Sequence, residues 1–344
     1  MIDLSICIPT YNRSVYLENC LNSIKLAKKL SSLKVEVCVS DNCSKDNVEP
    51  IIKRYERDIK IKYNKNSKNI GMGKNILKAV SMANGNFCWL LGNDDLILPN
   101  TFKKISSLLK EFKEIDFYYI NSFHLSYEQF KNLNLPVDTN ILDYEYLKKF
   151  SNYKRSEKLN FFELIDPRKS FEFMLSIFLC IFRREYWTKN LHVIRKDLIE
   201  DSNQYSNLDN TAPHSKIWAK GFKDKKAYFL SEPLSVNIHG PRTKDWGNLY
   251  PFIEGVRIPQ ILDNFRKEGL PLLQYFRCKN YALRRLIPSF FYMVKNKDTS
   301  NLKYVNLRKD FFYNLIYPMV YISLLILAYN KIINMIKDLF KNNK

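Results

Sequence analysis

The sequence predicts an α/β fold: a mixed, mainly parallel sheet flanked by helices, followed by a helical C-terminal extension. Two observations predict it. Across roughly the first 120 residues, short apolar runs alternate with amphipathic stretches, the pattern of βαβ units. Three of those runs also end in polar clusters, Tyr11-Asn12, Asp41-Asn42 and Asn93-Asp94-Asp95. Open α/β sheets bind ligands at the carboxyl ends of their strands, so these loops should converge on one site.

Each element has its own reason. Residues 4–9 form an apolar run closed by Pro9, a first strand, with Thr10-Tyr11-Asn12-Arg13 as its loop. Residues 16–30 carry Leu17, Leu21, Ile24, Ala27 and Leu30, the spacing of an amphipathic helix. A second strand spans 35–40, a helix 48–56 and a third strand 59–63. Gly71 and Gly73 then open a helix through Ala83, where bare backbone permits close approach to a phosphate or sugar. Residues 87–91 are too short an apolar run for a helix and read as a buried strand. A helix over 101–112 and a strand over 116–121 complete this half.

Asp94 and Asp95 allow two readings. Carboxylates fixed at a strand end suit a hard divalent cation, which in turn suits a bound diphosphate. Alternatively, one of them caps the next helix.

The second half is less regular. Residues 124–169 have no clear period and read as an insertion or acceptor loop. Residues 176–183 read as a buried strand. The stretch 195–210 is acidic, with Asp197, Glu200, Asp201 and Asp209, and a short helix over 213–220 stops at Gly221. Strands are expected over 226–230 and 235–239, parted by Glu232-Pro233, and helices over 253–265 and 272–294. The expected division is 1–245, with halves 1–121 and 122–245, then a helical region 246–344.

The tail is distinct. Residues 311–329 contain no charge but hold Asn314, Pro318, Ser323 and four tyrosines, and a basic amphipathic stretch follows over 331–344. Three readings stand: docking on an anionic membrane surface, burial against the core or a second copy in a homo-oligomer, or a span.

Composition narrows the partners. Hydrophobic residues are 46% and charged residues 26%, so the chain is globular. The net charge of +20 favours anionic partners: phosphorylated substrates or anionic lipid. Nucleic acid is not expected, because no base-reading module is present. Seven scattered cysteines without a CxxC pair point to reduced thiols in the cytoplasm, and no cleavable signal follows Met1.

With these loops placed, residues 1–240 resemble the family 2 glycosyltransferases of the GT-A fold, especially those building bacterial O-antigen, lipooligosaccharide or capsule. The resemblance rests on SICIPTYNR at the N-terminus, VSDNCS after the second strand, the NIGMGKN turn, and LLGNDD followed by Pro99. It implies an inverting transferase using a nucleotide-sugar donor, most often a UDP-sugar, with Mn2+ or Mg2+. Pro9, Thr10, Tyr11 and Asn12 would line the nucleotide, with Tyr11 stacked on the base and Asp41 accepting from base or ribose. Gly71 and Lys74 would face the diphosphate. The family's metal motif is often Asp-x-Asp-Asp; here Gly92 stands first, leaving Asn93 for the ribose, Asp94 as principal metal ligand and Asp95 as its neighbour. His239 is a candidate further ligand. Trp218-Ala-Lys-Gly221 matches the family's helix end, and counting back puts the general base at Asp209, with Glu200 and Asp201 as rivals; in the other reading Asp209 caps a helix. His214, near Asp209, is a possible acceptor contact, and Arg242 and Lys244 are candidates to close over the diphosphate. The acceptor would be a growing glycan on a lipid carrier or lipid A core, with the enzyme peripheral on the inner face of the cytoplasmic membrane. A non-catalytic nucleotide-sugar-binding scaffold is the first alternative. A nucleotidyltransferase is the second, although no Gly-rich loop follows the first strand.

Overall fold

The computed structural model describes residues 2–170, 172–239 and 249–341. The chain divides into two compact units, Met1–Pro241 and Arg242–Lys344.

In the first unit, the described strands are β1 (Leu4–Thr10), β2 (Val35–Asp41), β3 (Ile61–Lys65), β4 (Phe87–Leu90), β5 (Asp95–Ile97), β6 (Phe117–Ser126), β7 (Lys148–Lys149), β8 (Glu157–Asn160), β9 (Cys180–Arg183) and β10 (Lys226–His239). They form one sheet in the order β3-β2-β1-β4-β9-β6-β10-β5, with β7 beside β6 and β8 beside β10. The pairs β1–β2, β1–β4, β2–β3 and β6–β10 are parallel. Antiparallel β9 is wedged between β4 and β6. Every residue of β2 is buried, and of β1 all but the half-buried Pro9; apolar side chains predominate in both, and two buried polar ones, Ser5 and Glu36, bond to each other. Helices α1 (Ser14–Lys28), α2 (Val48–Tyr55), α3 (Met72–Ser81) and α4 (Thr101–Glu111) follow the expected alternation.

A fifth helix, α5 (Pro213–Gly221), is rooted in an aromatic cluster. The Trp218 ring meets Phe117 edge-on at 5.5 Å and Phe182 at 5.7 Å. Such pairs add to the burial of large rings in fixing one packing.

The first unit departs from the sequence reading at several places, besides the short strand β5. First, residues 226–239 are one strand, not two. Pro233 lacks a donor, and register shifts on either side of it absorb the gap. Second, residues 177–179 form a 3-10 turn, so only Cys180–Arg183 is strand. Third, much of 122–169 is packed. Leu125, Phe130, Val137 and Leu147 join Leu96, Val236 and Ile238 in one apolar cluster. Asn19 Oδ1 accepts from the Val137 amide at 2.7 Å, and Asn22 Nδ2 donates to its carbonyl at 3.0 Å.

The second unit is helical: α6 (Ile258–Lys267), α7 (Leu272–Ala282), α8 (Leu286–Lys295) and α9 (Pro318–Lys341). The expected helix over 272–294 is broken by the 3-10 turn Leu283–Arg285. Pro288 lies just beyond, in the first turn of α8, where its missing amide is tolerated. The uncharged run is also broken: segments Leu307–Ile316 and Pro318–Tyr329 meet at 80°. Among the described residues, no single helix is long and apolar enough to cross a membrane. All seven cysteines are free thiols, and six are buried.

Candidate active site

The site is assembled from strand ends braced by their own hydrogen bonds. At the end of β1, the buried Thr10 Oγ1 accepts from Asn93 Nδ2 at 2.8 Å, and its carbonyl accepts from the Asn42 amide at 2.9 Å. The ends of β1, β2 and β4 are thereby locked to one another. Tyr11 is 41% exposed, so its ring face is open to a planar partner. Asn12 turns the chain with φ of 51°, a left-handed conformation that Asn tolerates. Its amide donates to Ser44 Oγ at 2.9 Å, and its Oδ1 accepts from the Lys45 amide at 2.8 Å.

Asp41, expected to accept from base or ribose, also accepts within the protein. It is wholly buried; Oδ1 accepts from the Ser44 amide at 2.8 Å and Oδ2 from the Tyr63 hydroxyl at 2.9 Å. Its carboxylate ties the loop after β2 to β3.

The glycine turn is held by asparagines that sequence reasoning missed. Asn42 Nδ2 donates to Asn69 Oδ1 at 2.8 Å, and Asn42 Oδ1 accepts from the Ile70 amide at 2.8 Å. Asn66 Nδ2 donates to Asn75 Oδ1 at 3.0 Å, while Asn75 Nδ2 donates to the Ser40 carbonyl at 2.9 Å. The density of asparagine in 64–75 was the available signal, since Asn side chains bond local backbone in turns. Gly71 has φ of 86°, which favours glycine. Gly73 serves a close approach, but to protein: a Cβ there would lie 2.9 Å from the Asn210 carbonyl oxygen. Lys74, half-buried in the first turn of α3, has no ion-pair partner among the described residues.

The acidic turn sits where β4, β5 and β10 meet. Asp94 is 1% exposed, and its Oδ2 lies 3.2 Å from Arg13 Nη1. The Ile238 amide on β10 donates to the Asp94 carbonyl at 3.3 Å. Asp95, expected as a metal neighbour beside Asp94, clamps its own turn. Its Oδ2 accepts from the Gly92 amide at 2.7 Å, and its Oδ1 from Asn237 Nδ2 at 2.6 Å. Burial pushes its pKa up to about 7, against the opposing pull of those two donors. Gly92 is forced by this clamp: a Cβ there would stand 2.6 Å from Asp95 Oδ2 and 2.8 Å from Asp94 Oδ1. The carboxylate missing from this position therefore has no room. His239 follows Ile238 at the end of β10, paired with Ser126; its side chain, with Arg242 and Lys244, lies outside the described residues.

Among the described residues, the donor that fits a divalent cation is Asp94, a buried hard oxygen already facing the Arg13 guanidinium. Among the described residues no three His, Cys, Asp or Glu side chains cluster as a metal site. A cation held by one protein carboxylate and completed by substrate phosphates and water is the usual form for phosphate-bound Mg2+.

Asp209 lies in the short helical turn Leu208–Thr211, capped by Asn207, and the helix after it, α5, has Ala212 at its N-cap, so Asp209 caps neither. It is 2% exposed and bonded on both oxygens. Oδ1 accepts from the Arg195 amide at 2.9 Å, and Lys216 Nζ sits 2.8 and 2.9 Å from Oδ1 and Oδ2. Asn210, the next residue, is the one touching Gly73, so this turn rests on the helix that begins at the glycine turn. Of its rivals, Asp201 accepts from Ser206 Oγ at 2.5 Å and the Asn203 amide at 2.9 Å, whereas Glu200 is exposed. His214 is buried against Trp218 and is not presented to an acceptor.

Comparison with known proteins places this geometry. A relative, the abequosyltransferase RfbV of Salmonella typhimurium, is 43% identical over 108 residues, 31% of this chain and 32% of its own length. The chain thus spans about a third of that relative. Among solved structures, S. aureus TarS 1-349 in complex with UDP-GlcNAc matches with a TM-score of 0.55 at 16% identity, covering 94% of this chain and 80% of that one. The mannosyltransferase PcManGT from Pyrobaculum calidifontis, in complex with GDP-Man and Mn2+, matches with a TM-score of 0.51 at 14% identity, covering 96% and 86%. These likenesses show the GT-A fold. The model of the glycosyl transferase family 2 matches residues 5–186, just over half of the chain, and the chain belongs to that family.

Proposed function

We propose that this protein moves a sugar from a nucleoside-diphosphate donor to a hydroxyl of a growing bacterial surface glycan, with inversion at the anomeric carbon. One observation carries the reading: the strand-end loops of β1, β2 and β4 are bonded to one another, and the glycine turn that continues them bears the turn holding Asp209. Donor and base elements thus belong to one braced assembly. The abequosyltransferase relative supports a surface-glycan acceptor, and the nucleotide-sugars in the two structural neighbours support the donor class, with UDP the first choice.

In this reading Tyr11 stacks on the base, while Pro9, Thr10, Asn12 and Asp41 shape its pocket and Asn93 lies towards the ribose. Lys74 and the Gly71 backbone meet the diphosphate. Asp94, with His239, would hold Mn2+ or Mg2+, which supplies charge neutralisation for the departing nucleoside diphosphate. Asp209 takes the proton of the acceptor hydroxyl as its oxygen attacks the anomeric carbon; the bond to the diphosphate oxygen breaks on the opposite face. Lys216 must loosen its hold on Asp209 for that transfer. Glu200 is the second reading for the base, favoured by its exposure.

Sugar transfer assayed with UDP-, GDP-, CDP- and dTDP-sugars, with and without Mn2+, tests the proposal. Asp209→Asn should abolish transfer while donor binding persists; a near-normal rate moves the base to Glu200. Absence of both donor hydrolysis and transfer, with binding retained, identifies a scaffold.

A further inference from the structure

The C-terminal unit presents an apolar surface that its own fold leaves uncovered. The first turns of α9 are seated, with Val320 buried and the Met319 amide donating to Asn280 Oδ1 at 2.9 Å. Further along, the helix leaves its support: Leu325 is 71% exposed and Tyr329 64%. The preceding arm adds Phe312 and Ile316, and α8 adds Phe291, all more than half exposed. Apolar exposure on this scale marks an interaction surface.

The chemistry around it selects the occupant. Residues 242–344 carry 18 Lys and Arg against 7 Asp and Glu, whereas residues 1–241 carry 37 against 28. The excess is concentrated in the smaller unit. Arg308 and Lys309 are exposed immediately before the uncharged run, and Lys295 and Lys297 are exposed just after Phe291. A second copy would bring two strongly basic surfaces together. An anionic bilayer meets both the charge and the apolar side chains. Tyrosines among the aliphatic residues suit the headgroup boundary.

The geometry sets the depth. The arms Leu307–Ile316 and Pro318–Tyr329 are bent by 80°. The uncharged part of α9, Pro318–Tyr329, is about 18 Å at the helical rise before the charges resume at Lys331, against about 30 Å of hydrocarbon. We infer that this bent pair is a monotopic anchor, lying within one leaflet of an anionic membrane with the Arg308–Lys309 pair at the headgroups. The inference does not rest on the transferase reading.

Co-sedimentation of the full chain with phosphatidylcholine vesicles, with and without phosphatidylglycerol, tests it. The protein should pellet with the anionic vesicles and be partly released by salt. Leu325→Asp combined with Ile326→Asp should lower partitioning about tenfold or more, with an unchanged circular dichroism spectrum. Arg308→Glu combined with Lys309→Glu, which leaves the apolar face intact, should weaken binding to anionic vesicles alone. Wild-type protein that stays in the supernatant, or aspartate variants that pellet normally, would overturn the inference. So would a wild-type dimer that fails to bind vesicles and is split by the aspartate variants.

Discussion

His214 should make the sheet-bearing unit sensitive to mild acid. It is 2% exposed on α5, and its ring meets Trp218 edge-on at 4.9 Å. Burial pushes its pKa down from 6.5 to about 3, against a smaller pull from the backbone at Leu175 and Met174. The folded state thus refuses a proton that the unfolded chain accepts, so stability is whole above about pH 6.5 and is lost as pH falls towards 3. Linkage at pH 5 gives a penalty of about 2 kcal/mol, compared with about 0.2 kcal/mol at pH 7. His214→Phe keeps a ring beside Trp218 and removes the titration. Urea unfolding of both proteins at pH 7 and pH 5, read by the fluorescence of buried Trp89, Trp187 and Trp218, isolates the effect because other groups cancel. With m of about 2–3 kcal/mol/M for a unit of this size, the wild-type midpoint should fall about 0.6–0.9 M further than that of the variant. Equal losses would show that His214 takes up its proton without unfolding and would refute the argument.

Gly92→Asp, which restores the family's first carboxylate, should not raise Mn2+ affinity. The new Cβ collides with both neighbouring carboxylates, so a loss of about 1–3 kcal/mol in urea unfolding is expected. Glu36 is wholly buried on β2, accepting from Ser5 Oγ at 2.7 Å and the Asn84 amide at 2.6 Å, with Lys62 at 3.1 Å. Burial raises its pKa, but these partners together bring it below the usual value, so its contribution holds above about pH 4.5 and fades in acid. Glu36→Gln should cost about 1–3 kcal/mol at pH 7, with a smaller difference from wild type at pH 4. Asp94→Asn should abolish any thermal stabilisation by Mn2+ plus nucleotide-sugar while leaving that by nucleotide alone; an unchanged Mn2+ effect would remove Asp94 from the metal site.

The first half of the fold was legible because its central strands β1, β2 and β4 are buried on both faces, with only the edge strand β3 half-buried. An apolar run such as that of β4, Phe87–Leu90, has no competing period. Its helices show their buried stripe directly, as with Leu17, Leu21 and Ile24 on α1. Legibility failed where long-range pairing decides structure. The three residues of β5 are strand only because Asp95 and Ile97 face Asn237 and Ser235. Pro233 suggested a break, yet pairing with β6 resumes beyond it. At the site, residue types were visible but their obligations were not. Asp41 and Asp95 look like free ligands in sequence, and only the fold shows Tyr63, Ser44, Gly92 and Asn237 donating to them. Lys216 follows Asp209 by two helical turns, a spacing that gives no hint of a direct ion pair across the break between the short turn and α5.

The absence of a side chain at Gly73 has a kinetic consequence. The Asn210 backbone bears directly on the first turn of α3; in the proposed mechanism, a donor that settles the glycine turn would also settle the seat of Asp209. Substrates should then add in compulsory order, donor before acceptor, with the acceptor reaching an already finished site. Product inhibition by the nucleoside diphosphate, competitive against donor and noncompetitive against acceptor, is the expected signature. Gly73→Ala, which pushes that seat away, should loosen the order towards random addition; a random pattern in the unaltered protein would mean the two seats move independently.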